Sequence, residues 1–157
     1  MARTTPATAA LSRIGKPYTL HVYDYDPGDE RVGLQAARAL GEAPCRVLKT
    51  LMTRVDGQPV CVVLPSDREV SMKALARVMG GRVAEMMKPA DAERLTGFKV
   101  GGISPFGQKR ACPVVLEAST VTEPHVFLNG GARGLQIRMA PADLAEALGA
   151  RLGEVVA

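Results

Sequence analysis

The chain has no tryptophan, three tyrosines, three phenylalanines, two histidines and three cysteines among 157 residues. Proteins that read unstacked bases use aromatic platforms, so this shortage argues against base reading on single strands. No apolar run approaches the roughly 20 residues of a membrane-spanning helix. Residues 1–6 contain no apolar signal-peptide core. We therefore expect a cytoplasmic protein without a membrane partner.

The metal ligands and nucleophiles are also sparse. His21 and His125 lack the His-x-x-x-His spacing, and no Cys-x-x-Cys lies near them. Cys45, Cys61 and Cys112 are odd in number and widely spaced, which favours reduced thiols over disulfides. None of the three has a base nearby in sequence that would make it a thiolate. We expect no metal, no cofactor and no cysteine nucleophile.

Two catalytic motifs are excluded by spacing. Residues 102–107 partly match the Gly-x-Ser-x-Gly nucleophile elbow, but the second glycine comes one position late and a proline follows Ser104. Ser104 is therefore expected to be a loop hydroxyl that bonds the backbone or a ligand. The cations never follow the glycine spacing of a Walker sequence.

The chain does carry a formal charge of +4 and a pI of about 9.2. This bias favours an acidic or phosphate-bearing partner. With few aromatic residues, contact with a nucleic-acid backbone is expected rather than base reading. A length of 157 residues with 46% hydrophobic content fits one globular domain spanning the whole chain.

Periodicity and turn residues predict helices mixed with strands. Asp56-Gly57 predicts a hairpin, and residues 60–64, apolar on both faces, predict a buried central strand. Helices are predicted at 7–14, 33–40, 71–79, 88–97 and 141–149. Strands are predicted at 18–23, 46–55, 60–64, 113–117, 125–128 and 135–139. Since hairpins exclude an all-parallel sheet, we predict an α/β fold with a mixed, mainly antiparallel, curved and barrel-like sheet flanked by helices.

A glycine-rich loop at residues 100–110 is the least regular segment. Gly101 and Gly102 lack Cβ atoms, so their backbone N–H groups can approach a ligand closely. Two adjacent amides can hold an anion or a developing oxyanion, although a simple tight turn is the alternative. The loop ends in Lys109 and Arg110, and a second glycine-rich turn at 129–134 contains Arg133.

Lys49 stands between apolar neighbours in a predicted strand. Its ammonium is either held inside a pocket, where its charge would matter, or extended to solvent along an apolar stem. The residues alone slightly favour the solvated lysine.

Three separated segments, residues 46–51, 96–109 and 130–135, resemble the YbaK family of bacterial Cys-tRNA(Pro) deacylases in order and spacing. The resemblance extends from His21 to the last helix. That family is similar in fold and activity to the editing domain inserted in bacterial prolyl-tRNA synthetases. The resemblance implies an aminoacyl-tRNA deacylase that acts on Cys-tRNA(Pro) and also on Cys-tRNA(Cys). It implies the acceptor end of tRNA as partner, with prolyl-tRNA synthetase as a second candidate.

The resemblance also implies site residues. Lys49 matches the strand lysine on which activity depends in the family, Gly101 and Gly102 match the substrate-facing loop, and Tyr23 matches a pocket-lining aromatic. The further substrate-binding positions are Val32, Thr50, Ser104, Gly130, Arg133 and Gln136. Two of these residues depart from the family pattern. Several members carry phenylalanine at the position of Val32, and some carry an acidic residue at the position of Gln136. The departures leave open whether cysteine or another small amino acid is preferred.

These observations predict a mechanism that needs no protein nucleophile. The ester of an aminoacyl-tRNA is already activated, and a cysteinyl thiol can attack its own carbonyl and leave as a cyclic product. Lys49 would orient the terminal ribose or phosphate, and the amides of Gly101 and Gly102 would face the oxyanion. The basic residues Lys109, Arg110 and Arg133 would attract the acceptor stem. The rival is a non-catalytic module that only binds aminoacyl-tRNA or the synthetase.

Overall fold

The computed structural model describes residues 4–29 and 31–157. Residues 1–3, part of the N-terminal segment used above to expect a cytoplasmic protein, lie outside them. The helices are α1 (Pro6–Ile14), α2 (Val32–Leu40), α3 (Met72–Val78), α4 (Pro89–Thr96) and α5 (Pro141–Leu148). The strands are β1 (Thr19–Val22), β2 (Leu48–Val55), β3 (Gln58–Pro65), β4 (Ala84–Met86), β5 (Val114–Glu117), β6 (Val126–Asn129), β7 (Leu135–Met139) and β8 (Arg151–Gly153). Within the described ranges, no helix has the length and apolar character to cross a bilayer.

The strands form two sheets. One has the order β1-β7-β6 and is antiparallel throughout. The other has the order β4-β2-β3-β5-β8, in which β5 is parallel to both β3 and β8. An isolated bridge between Val47 and Phe127 links the sheets. The mixed α/β fold is therefore confirmed, whereas a barrel-like closure is not, because the pairings give two open sheets.

Local chemistry explains most element boundaries. Asp56 and Gly57 have φ values of 49° and 82°, the pair of positive φ angles that a tight hairpin between β2 and β3 requires. The carboxylate of Asp56 accepts the N–H groups of Val83 and Arg82, which lowers the pKa of this aspartate. The start of β2 was predicted two residues early, because a 3₁₀ turn occupies Pro44–Arg46.

Strand β3 is the central strand of its sheet, as predicted. Cys61 and Val63 face one hydrophobic cluster, which reaches the three-stranded sheet, while Val62 and Leu64 face another. Both faces are fully buried because helices or the second sheet cover them. This packing fixes β2 beside β3 and holds the start of β2 next to β6.

Candidate functional site

A cleft of about 470 Å³ lies beside the start of β2, near the bridge that joins the sheets. Six parts of the chain converge on it: the first residues of β2, the segment after β3, the beginning of α2, the glycine-rich loop, facing residues of β6 and β7, and the segment around β4 and α4. Of the predicted site residues, those that line it are Val32, Lys49, Thr50, Gly101 and Gln136. The fold thus brings together residues up to about a hundred positions apart.

Lys49 projects from β2 into this cleft. Its side chain is 21% exposed, and its Nζ lies 3.5 Å from Oε1 of Glu69, whose own side chain is 84% exposed. Ion pairs with such an exposed partner are weak, because the carboxylate is well solvated and two long side chains must be ordered. The ammonium can therefore exchange Glu69 for an anionic ligand. Of the two alternatives for Lys49, the structure supports the pocket lysine over the solvated one.

Thr50 and Gln136 supply polar atoms to the same cleft. Thr50 Oγ1 and Gln136 Oε1 are buried and have no hydrogen-bond partner among the described residues. Buried polar atoms are nearly always paired, since an unpaired one costs about 1–3 kcal/mol. Both residues line the cleft, so these unpartnered oxygens belong to its wall. Val32, the first residue of α2, completes this side of the cleft.

The two predicted loop glycines differ in what their amides do. Gly101 lines the cleft at a φ of 91°, and its N–H has no partner among residues 4–29 and 31–157. Gly102 is buried, and its N–H donates to the carbonyl of Lys99 at 2.8 Å. The expectation that both amides face an oxyanion is therefore wrong for Gly102. Only the amide of Gly101 is available to a ligand.

Asn129 is a cleft residue that sequence reasoning missed. Its Nδ2 donates to the carbonyl of Gly101 at 3.1 Å, and its Oδ1 accepts the N–H of Gly131 at 2.7 Å. One side chain thus ties together the two glycine-rich turns. The bond to Gly131 has a sequence signal, because asparagine commonly bonds the backbone two residues on. The bond to Gly101, across 28 positions, has none.

Two predicted substrate-binding residues have structural roles instead. Ser104 is fully buried, and its Oγ accepts the N–H of Phe106 at 3.2 Å, so it stabilises its own loop. Gly130 donates its N–H to the carbonyl of Leu135 at 2.8 Å, and a methyl group at Gly130 would lie 2.8 Å from Leu135 Cγ. Neither residue lines the described cleft, so substrate binding by either is corrected to support of the loops.

Tyr23 packs beneath the bridge with Val47 and Phe127 rather than along the cleft surface. It is 8% exposed, and burial raises the pKa of its phenol. Its hydroxyl has no partner within the described residues. A pocket-lining role for Tyr23 stays a prediction.

Arg133 is exposed and does not line the cleft. Its Nε donates to the carbonyl of Val100 at 3.0 Å, and its guanidinium carbon lies 5.5 Å from the centre of the Tyr25 ring. Lys109 and Arg110, the other predicted tRNA contacts, are exposed at the end of the glycine-rich loop that contains Val100.

The described part of the chain contains no group of three or more His, Cys, Asp or Glu side chains placed to hold a metal. The thiols are poor nucleophiles. Burial raises the pKa of Cys61, which is fully buried, and of Cys112. Burial and, next, the Glu123 carboxylate raise the pKa of Cys45. All three groups are therefore held as thiols at neutral pH.

We expect a triple variant, Cys45→Ser, Cys61→Ala and Cys112→Ser, to keep deacylation near the wild-type rate. Alanine is used at Cys61 because a serine hydroxyl would be buried there without an assured partner. A stability loss of about 1 kcal/mol is expected from the small cavity and is checked by thermal denaturation. Loss of turnover in any folded single variant would identify a protein thiol as the nucleophile.

Comparison with known proteins shows similarity to proteins that act on aminoacyl-tRNA. A family model described as "Aminoacyl-tRNA editing domain" matches residues 33–147. A protein of Enterococcus faecalis named "Putative Cys-tRNA(Pro)/Cys-tRNA(Cys) deacylase EbsC" is 32% identical over 121 residues, which cover 76% of this chain and 74% of that protein. A proline–tRNA ligase of Maridesulfovibrio salexigens is 34% identical over 83 residues, 53% of this chain but 14% of that larger enzyme.

A solved structure has the same fold. It is titled "Crystal structure of a putative trans-editing enzyme for prolyl tRNA synthetase" and superposes with a TM-score of 0.84 at 22% identity, covering 99% of both chains. At that identity the likeness establishes the fold only.

Proposed function

Because the chain belongs to the family of aminoacyl-tRNA editing domains, we propose that it is a trans-acting deacylase that removes cysteine from mischarged Cys-tRNA(Pro), and also from Cys-tRNA(Cys). The resemblance predicted from the sequence is thereby confirmed at the level of the family and of deacylase activity. The identity of the amino acid, the identity of the tRNA and the reaction mechanism are what we propose. We propose further that it acts as one domain in the cytoplasm on the acceptor end of aminoacyl-tRNA, either free or docked on prolyl-tRNA synthetase.

The observation that carries this proposal is the composition of the cleft. It brings together the ammonium of Lys49 and the unpartnered amide of Gly101, and its wall contains the buried, unpartnered oxygens of Thr50 and Gln136. The ammonium and the amide N–H can bind and polarise an ester carbonyl. The thiols of the chain are buried or held neutral and Ser104 is buried, which favours the substrate or water as the source of the attacking group.

In the proposed reaction the substrate supplies its own nucleophile. The sulfur of the cysteinyl group attacks the carbonyl carbon of its ester, the bond from that carbon to the ribose oxygen breaks, and the thiol proton passes to the ribose oxygen. The products are a cyclic thiolactone and tRNA with a free terminal hydroxyl. Lys49 orients the terminal ribose or its phosphate, and the Gly101 N–H donates to the developing oxyanion.

The function is tested by incubating the purified chain with separate aminoacyl-tRNAs: Cys-tRNA(Pro), Cys-tRNA(Cys), Ala-tRNA(Pro) and Pro-tRNA(Pro). We expect rapid deacylation of both cysteinyl substrates and slow loss of the others. Preference for alanine would assign the same cleft to a different small amino acid, in line with the departures at Val32 and Gln136. Binding without cleavage of any substrate would identify a binding module and contradict the proposal.

Binding of tRNA is expected to weaken as salt is added, because backbone contact releases counterions. If about three phosphates are contacted, affinity should fall roughly 20- to 40-fold between 50 and 200 mM salt. Filter binding or fluorescence anisotropy measures this slope. A Lys109→Ala, Arg110→Ala double variant should flatten it, whereas Lys73→Ala, an exposed lysine on α3, serves as control. A slope near zero would indicate recognition by stacking or through a partner protein.

A further inference from the structure

The orientation of the Gly101 amide is set by the peptide unit that contains it. This unit joins the carbonyl of Val100 to the N–H of Gly101, and in a trans peptide these two groups point in opposite directions. The carbonyl of Val100 accepts the Nε–H of Arg133 at 3.0 Å. Whatever holds this carbonyl therefore also decides where the Gly101 N–H points.

The next peptide unit is anchored separately. The carbonyl of Gly101 accepts from Asn129 at 3.1 Å, and the N–H of Gly102 donates to Lys99 at 2.8 Å. The Gly101–Gly102 unit is thus held at both ends. Within the described residues, the Val100–Gly101 unit is anchored by Arg133 alone, which lies 33 residues further along the chain.

Arg133 is itself held against the loop. Its guanidinium carbon lies 5.5 Å from the centre of the Tyr25 ring, a distance suited to a cation–π contact. A methyl group at Gly101 would lie 2.9 Å from the Tyr25 hydroxyl and 3.4 Å from Arg133 Nε. Tyr25 and Arg133 therefore support the Cα of Gly101 from one side, and Gly101 presents its remaining surface to the cleft.

We propose that Arg133 is a positioning residue, which aims the Gly101 N–H into the cleft by holding the Val100 carbonyl. This inference rests on the proposed function, because it makes that amide the donor to the oxyanion of deacylation. It differs from the role that charge alone suggested for Arg133, namely contact with tRNA phosphates. A planar guanidinium suits the positioning role, since its Nε–H can bond the carbonyl while its face stacks on Tyr25.

The two roles predict opposite kinetic results for Arg133→Ala. If Arg133 positions the amide, the single-turnover rate at saturating protein should fall by about 10- to 100-fold, since an oxyanion donor is worth up to about 1,000-fold. The dissociation constant for tRNA and its salt slope should stay unchanged. If Arg133 instead contacts phosphate, binding should weaken, the salt slope should fall by about 0.7 to 0.9, and the saturated rate should be normal. The second result would overturn the proposal.

Arg133→Lys separates charge from geometry, because lysine keeps the charge and lacks the planar Nε–H donor. We expect this variant to bind tRNA normally and to remain slow in chemistry. A fully restored rate would contradict positioning by the guanidinium. Arg138→Ala, an exposed arginine on β7, is the matched control and should match the wild type in both measurements. If Arg133→Ala fails to fold, the lysine variant carries the test.

A third measurement does not depend on activity. In ¹⁵N-labelled protein, the amide resonance of Gly101 should shift and broaden in Arg133→Ala, while the amides of β2 and β3 stay in place. An unchanged Gly101 resonance would overturn the proposal even if the rate fell. Absence of deacylation by the wild type would refute the proposed function. The Gly101 resonance would still test whether Arg133 sets the orientation of the Gly101 amide.

Discussion

Replacing Lys49 by alanine is expected to slow single-turnover deacylation of Cys-tRNA(Pro) by about 100- to 1,000-fold, the usual loss when a preorganised charge-stabilising group is removed. Lys49 is the cation that projects into the cleft from β2. Its loss removes the positive charge that orients the terminal ribose or phosphate. The fold should persist, because the ion pair with the exposed Glu69 contributes little to stability.

Two controls separate this effect from loss of structure. Lys73→Ala removes an exposed lysine of α3 and should leave the rate unchanged. Glu69→Gln removes the ion-pair partner and should also preserve activity, since that contact is at 3.5 Å with an exposed carboxylate. Circular dichroism and thermal denaturation establish that each variant is folded. A folded Lys49→Ala protein with near-normal turnover would refute the assignment of this cleft.

The elements that sequence patterns predicted are those with local causes. The hairpin at Asp56-Gly57 is confirmed because two residues with positive φ dictate that turn wherever the chain goes next. Strand β3 is confirmed because an apolar run on both faces fits only a doubly covered strand. Strand β8 was missed, since three residues, Arg151–Gly153, are too few for alternation to be recognised.

The residues of the candidate site also separate into those with local causes, which the sequence predicts, and those that depend on contacts between distant segments. Lys49 and Thr50 are neighbours on one strand, so one motif predicted both, and both line the cleft. The function of a loop amide, in contrast, depends on contacts between distant segments. Gly101 and Gly102 look equivalent in sequence, but a bond to Lys99 occupies one amide, while Asn129 and Arg133 fix the loop from across the molecule. Burial of Ser104 is equally non-local, and no sequence spacing reports it.

The state of the cysteines and of Ser104 leads to a test on the substrate. With the cysteines held as thiols and Ser104 bonded to Phe106, the substrate thiol and water are favoured over the buried Thr50 hydroxyl as the attacking group. A thiol attached to the same aminoacyl group has a large advantage, because intramolecular reactions reach effective molarities of about 10⁵–10⁸ M when the groups are well oriented. Strain in the thiolactone ring raises the barrier to cyclisation and offsets part of this advantage. The cleft must therefore also stabilise the oxyanion.

We therefore expect tRNA(Pro) charged with S-methylcysteine, or with serine, to be cleaved at least about 100-fold more slowly than Cys-tRNA(Pro), well within the range that loss of an intramolecular nucleophile allows. The methyl group blocks the sulfur, and a serine hydroxyl is a far weaker nucleophile than a thiol. Rates are compared in single turnover at saturating protein, so that a difference in binding is not mistaken for a difference in chemistry. Each substrate is corrected for its spontaneous hydrolysis without protein. Rapid cleavage of the S-methyl substrate would contradict cyclisation and would make a water molecule activated near Lys49 the attacking group.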